Sequence, residues 1–147
     1  MTINPDTSFV LSGRIEQDAN HAAAGKLITR YGEDDWLWCE LHDAEVFCAA
    51  RNQIHRQTDP VPEATARAAI FRIEREVRRG TFQRRQLDVP ASIARALSLS
   101  DVHGWKRAHT PLDVWHVAAA WAFGVDRFAT FDERQAELAE AAGLILA

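Results

Sequence analysis

The chain has 147 residues, 47% of them hydrophobic, with 17 Lys and Arg against 21 Asp and Glu and a formal charge of −4. That length fits one globular domain with a real core, and that charge excludes a protein that grips nucleic acid by overall basicity, so any such contact must be local. No basic segment leads into an apolar run and no stretch approaches 18 apolar residues, so neither a signal peptide nor a membrane span is expected.

The expected location is cytoplasmic, with Cys39 and Cys48 reduced and buried rather than bridged. Thr2 to Pro5 reads as a first strand, with Asp6, Thr7 and Ser8 at its carboxyl end and Phe9, Val10 and Leu11 opening a short helix. In an open α/β sheet that edge is where functional groups collect. Asp6 also reads simply as a helix cap, and Pro5 would remove a ladder donor. Asp18 to Tyr31 is expected to be helical with Asp18 as cap, His21 being a surface or capping histidine. Trp36 to Cys39 follows as the second strand.

Leu41 to Gln57 reads as a helix that carries three candidate acids within reach of its start: Glu40, Asp43 and Glu45. Solvated helix charge accounts for any of them. Glu45, set between Ala44 and Val46, is the one whose neighbours suggest an inward carboxylate, which is costly to bury without a positive partner. A zinc site from Cys39, His42, Cys48 and His55 is excluded because Cys48 and His55 lie about 10 Å apart along one helix.

After a proline-punctuated linker at 58–62, Pro62 to Arg79 is the next helix, stopped by Gly80, with an apolar stripe of Ala66, Ile70, Ile73 and Val77. Arg72, Arg75 and Arg79 share another face. They read either as a solvated face paired with Glu74 and Glu76 or as a basic rim suited to RNA phosphates or an acidic partner segment. Gln86 to Val89 is expected as a third strand, 90–97 and 100–107 as helical pieces, and 144–146 as a closing strand.

The stretch from His109 to Gln135 organises the rest. Thr110 is a good N-cap, Pro111 sits where its missing N–H costs nothing, and Asp113 falls at the third helical position facing the positive end of the helix. Gly124 ends that helix, Arg127 to Thr130 reads as a brief buried strand, and Asp132 caps the next helix with Gln135 placed for a capping box.

D-T-S after a first strand, Asp113 with His116 one turn on, G-V-D-R-F-A-T-F-D-E-R-Q, and A-E-A-A-G-L-I-L together resemble a PIN-domain ribonuclease. Within that family the chain most resembles the VapC-like toxins of toxin–antitoxin systems. The resemblance implies an α/β fold, a single PIN-like domain over residues 1–147 with a mostly parallel sheet of about five strands flanked by helices. It implies Asp6, Glu45, Asp113 and Asp132 as metal ligands for Mg²⁺ or Mn²⁺, with Thr7, Ser8 and Thr130 supporting them. His116 is expected to be packed on the Asp113 helix. It also implies metal-dependent cleavage of RNA, a cognate antitoxin and a homodimer. The Asn4-Pro5 pair departs from the family's apolar first strand.

Four carboxylates repel one another unless a cation neutralises them, and oxygen ligands of this kind suit Mg²⁺ or Mn²⁺. Such a site needs no serine, cysteine or histidine nucleophile. The sequence shows no such triad, no phosphate-binding glycine loop and no zinc protease motif. The competing expectation is a non-catalytic PIN-like module that holds RNA or a protein on its arginine face. A nuclease directed at DNA would use the same acids.

Overall fold

The computed structural model describes residues 1–147. Four parallel strands, β1 (Thr2–Pro5), β2 (Asp35–Trp38), β3 (Phe82–Arg84) and β4 (Arg127–Ala129), form one sheet in the order β3-β2-β1-β4. Around it lie α1 (Thr7–Ser12), α2 (His21–Arg30), α3 (Glu40–Asn52), α4 (Glu63–Arg78), α5 (Val89–His103), α6 (Pro111–Phe123) and α7 (Glu133–Ala141).

Successive side chains of a strand point to opposite faces. Trp36 and Trp38 therefore join Ile3, Phe9, Val46, Ala50 and Ile73 in one core, while Leu37 joins Val114, Val117, Phe128 and Leu138 in another. The first face is covered mainly by α1, α3 and α4, the second by α5, α6 and α7. Burial on both faces is why β2 and β4 carry no alternation of polar and apolar residues along their inner positions.

β1 breaks this pattern at Asn4. Ile3 points into the first core, so Asn4 points into the second, opposite Phe128 in the β4 register. It is 0% exposed, and neither its amide nitrogen nor its oxygen has a hydrogen-bond partner. Pro5 is accommodated differently. Its absent N–H lies beyond the last registered β1–β2 pair, Ile3↔Trp36, and its carbonyl accepts from His42 Nε2 at 2.8 Å. The next amide, that of Asp6, continues the ladder to Ala129 at 2.8 Å. The strand is complete despite the proline.

Several expected boundaries move. α2 begins at His21 rather than Asp18, because the Asp18 carboxylate accepts from Ser12 Oγ and the Asn20 amide, both at 2.8 Å, in the turn before it. α3 ends at Asn52 and tightens into a 3₁₀ turn at Gln53–His55. The third strand is Phe82–Arg84 and not 86–89. Gly80 turns the chain at φ +75°, Phe82 packs 5.0 Å from the Trp38 ring, and Asp88 caps α5. The two expected pieces at 90–97 and 100–107 are one helix, since neither Gly nor Pro interrupts 91–103. The sheet has four strands rather than about five, because the 144–146 segment makes only a single bridge, Leu146 to Phe128. Cys39 is buried as expected, but Cys48 is exposed; both thiols are free.

Candidate active site

All four strands run the same way, so Asp6, Cys39, Arg85 and Thr130, each just past a strand end, mark one edge of the sheet. α4 and α6 each lead into a parallel strand and must run back against it. Their first turns therefore lie at this carboxyl edge and their last turns at the opposite one. Asp113, in the first turn of α6, is brought to Asp6's edge, and Gln135 Nε2 donates to the Asp113 carbonyl at 3.2 Å. Arg75 and Arg79, by contrast, belong to the far end of α4, next to the start of β3. Arg72 is paired with Glu76, which also holds the buried Arg14. These three arginines are not gathered with the acids.

Each acid has a local reason for its place. Asp6 ends β1 and caps α1, its carboxylate accepting from the Phe9 amide at 2.7 Å. The Ser8 hydroxyl lies 2.8 Å from Oδ2, and Thr130 Oγ1 reaches the same oxygen at 2.7 Å. Thr130 Oγ1 is also 3.0 Å from Gln135 Oε1 and accepts from the Asp132 amide at 3.0 Å, so its one proton is shared between Asp6 and Gln135. Thr7, beside Asp6, donates to Glu45 Oε2 at 2.7 Å. His116 Nε2 donates to that oxygen at 2.5 Å. Asp113 forms a capping box with Thr110, as its spacing predicts. Asp132 caps α7 through Oδ1, which accepts from the Arg134 and Gln135 amides, while Oδ2 faces the Arg134 guanidinium at 3.2 Å.

The electrostatics separate the acids. Burial lifts the Asp6 carboxyl to about 6, against its hydrogen bonds from Phe9, Thr130 and Ser8. Glu45 is also lifted by partial burial, but the bonds from His116 and Thr7 outweigh this and hold it below the ordinary carboxylate range. Asp132 is lowered in the same way, partial burial being outweighed by Arg134 and the α7 amides. Beside them, burial drives His42 down to about 3. His42 is therefore neutral, donating from Nε2 to Pro5 and accepting the Cys39 amide at Nδ1, 3.1 Å away.

Side chains of Asp, Glu, His and Cys do not converge in threes on a point that could hold an ion. The reason is visible in their present partners: Glu45 turns to His116, Asp113 to Thr110, and Asp132 to Arg134. In kind, the residues fit a hard divalent cation. All four offer carboxylate oxygens at one edge, and Asp6 is a buried acid with no basic side chain paired to it.

Sequence reasoning misplaced two functional contributions. Gln135 does not close a capping box with its side chain; it is buried and ties Thr130 to the Asp113 carbonyl. His42, weighed only as a zinc ligand, instead ties α3 to the end of β1. Its signal was an i, i+3 match to Cys39 at a helix start, the spacing of a capping box.

No protein-family model matches the sequence, and no curated protein matches it. Solved structures do resemble it. VapC20 of Mycobacterium tuberculosis, a sarcin–ricin loop cleaving toxin, superposes with a TM-score of 0.70 at 18% identity, over 99% of this chain and 98% of its own. FitAcB of Neisseria gonorrhoeae gives 0.66 at 20% identity over 98% and 95%. VapBC2 of Rickettsia felis, bound to a promoter DNA fragment, gives 0.65 at 9% identity over 100% and 98%. The four-stranded parallel sheet, its flanking helices and the end-to-end superposition give this chain the PIN-like fold of the VapC toxins.

Proposed function

We propose that the chain is a metal-dependent endoribonuclease, the toxin of a toxin–antitoxin pair. The observation that carries this reading is the buried Asp6 carboxyl at the sheet's carboxyl edge, held by Ser8 and Thr130, with no basic side chain bonded to it. Glu45, Asp113 and Asp132 come to the same edge through Thr7, Gln135 and Thr130. These four acids would hold Mg²⁺ or Mn²⁺. Such an ion, when bound, sharpens a water as nucleophile and offsets charge on the phosphodiester.

The chain's own residues supply position. Thr130 and Ser8 fix the Asp6 oxygens, Thr7 and His116 fix Glu45, and the α7 amides fix Asp132. The VapC20 resemblance makes a structured RNA loop the first substrate to try. A groove of about 420 Å³ between α3 and α4, lined by Ile54, Ala66, Ile70 and Phe71 with Arg51 and Arg67 at its rim, offers an antitoxin helix an apolar seat. A second copy of the chain would cover Leu97 on α5 and Trp105 just beyond its end, which are 67% and 87% exposed and line one shallow surface.

The test is cleavage of transfer RNA, ribosomal RNA fragments and single-stranded DNA by the purified protein with Mg²⁺, Mn²⁺ or EDTA. Cleavage of RNA that needs the ion and is lost in Asp113→Asn is the expected result. A folded, ion-loaded, partner-free protein that cuts nothing would leave the non-catalytic RNA- or protein-binding module in its place.

A further inference from the structure

Asp132 uses its two carboxylate oxygens for different tasks. Oδ1 is taken by two amides of α7, at 2.8 and 3.1 Å, and is committed to holding the helix. Oδ2 receives no backbone donor. It faces Arg134, whose guanidinium nitrogen lies 3.2 Å away and which also feels Asp113. Among the ion pairs of the molecule, this is the one that joins a guanidinium to any of the four acids; Arg14, Arg67, Arg72, Arg84 and Arg107 pair elsewhere.

Resting on the nuclease reading, we infer that Arg134 is a switching cation: it occupies Asp132 Oδ2 when no ion is bound, yields that oxygen to the divalent ion, and then grips a phosphate of the RNA. The oxygen held by Arg134 is the only one of Asp132 left for a ligand, so ion and guanidinium compete for it. The Arg134 side chain is 45% exposed and on the first turn of α7, so it can swing without moving the helix. Once released it stands at the acid edge, and its planar fork matches phosphate oxygens better than an ammonium does. The carboxylates repel an incoming phosphate, and a cation kept at their rim offsets that repulsion without occupying the ion's place.

The two halves of this role have opposite signs. Arg134→Ala removes a competitor, so Mn²⁺ titrated calorimetrically into the variant binds about two- to five-fold more tightly than into the native protein, the range expected for a partly exposed ion pair. The same variant loses a phosphate contact, so KM for RNA rises about ten-fold while kcat changes little. Arg134→Lys retains charge without the fork and falls between the two on both measures. A residue that merely stabilised α7 would weaken both ion binding and turnover. Unchanged or weaker Mn²⁺ binding by Arg134→Ala, in a setting where the native protein binds the ion and cleaves, refutes the switch and leaves the nuclease reading intact. Tighter Mn²⁺ binding with an unchanged KM refutes the phosphate half. A native protein that keeps its far-ultraviolet dichroism yet binds no Mn²⁺ removes the nuclease reading, and the switch with it.

Discussion

Asn4 offers the sharpest test of the fold's energetics. It sits on an inner strand, fully buried, with both side-chain polar atoms unpartnered. In the unfolded chain both atoms bond to water, so folding charges the protein their desolvation, on the order of 1–3 kcal/mol. Asn4→Leu keeps the branched outline of the side chain and replaces those atoms with methyls facing Phe128 and Leu37. The variant should therefore gain about 1–3 kcal/mol, or roughly 3–9 °C in Tm for a chain of this size. Urea unfolding should show a raised midpoint with an unchanged m-value, which assigns the gain to the native state. Asn4→Ala separates the two contributions, because it deletes the same amide but leaves its space empty, and it should fall about 2 kcal/mol below the leucine variant. A leucine variant no more stable than the native protein would refute the reasoning, and would mean that an internal water satisfies the amide.

Asp6→Asn should abolish RNA cleavage yet stabilise the ion-free protein at pH 7. Its folded carboxyl titrates near 6 against 3.8 for the ordinary group, so the stability it lends is complete below pH 3.8 and lost as pH rises through 6. The variant's advantage is on the order of 3 kcal/mol at neutral pH and closes toward pH 4, measured by thermal unfolding in EDTA; a destabilised variant at pH 7 would contradict this. His42 has the opposite sign: with its folded pKa depressed to about 3, its contribution is present above 6.5 and is lost as pH falls from there. His42→Leu should cost about 1–3 kcal/mol at pH 7 by stranding the Pro5 carbonyl, and less at pH 5, as read by urea midpoints at the two pH values. Trp105→Ser should leave Tm unchanged, because its ring is exposed, while weakening self-association in sedimentation velocity. A native protein that sediments as a monomer at all concentrations would refute the dimer face.

The parts of the fold written in local chemistry were legible. Thr110, Pro111, Asp113 and Gly124 mark α6 because caps, proline at the first turn and a left-handed glycine at φ +62° act within a few residues. β3 was not legible, because what makes Phe82 a strand residue is its register with Trp36 and its packing against Trp38 and Arg14, all far away in sequence, and not any alternation nearby. The same holds at the candidate site. Asp6, Asp113 and Asp132 announce themselves as helix starts, whereas the bonds from His42 to Pro5 and from Gln135 to Asp113 cross from one element to another and leave no periodic trace. The arginines of α4 share a face in sequence, but the direction in which that helix runs decides which edge they reach, and direction is a property of the topology.

Three of the four acids each begin a helix: Asp6 and Asp132 as caps, Asp113 in a capping box. Each is thereby answerable to folding as well as to chemistry, and a descendant that had lost all nuclease activity would still be penalised for discarding it. Glu45 caps nothing; it lies within α3, half-buried, bound only to Thr7 and His116. Among related chains, the retention of aspartates at these three positions would speak for the fold, and it is the glutamate that would distinguish working enzymes from inert descendants.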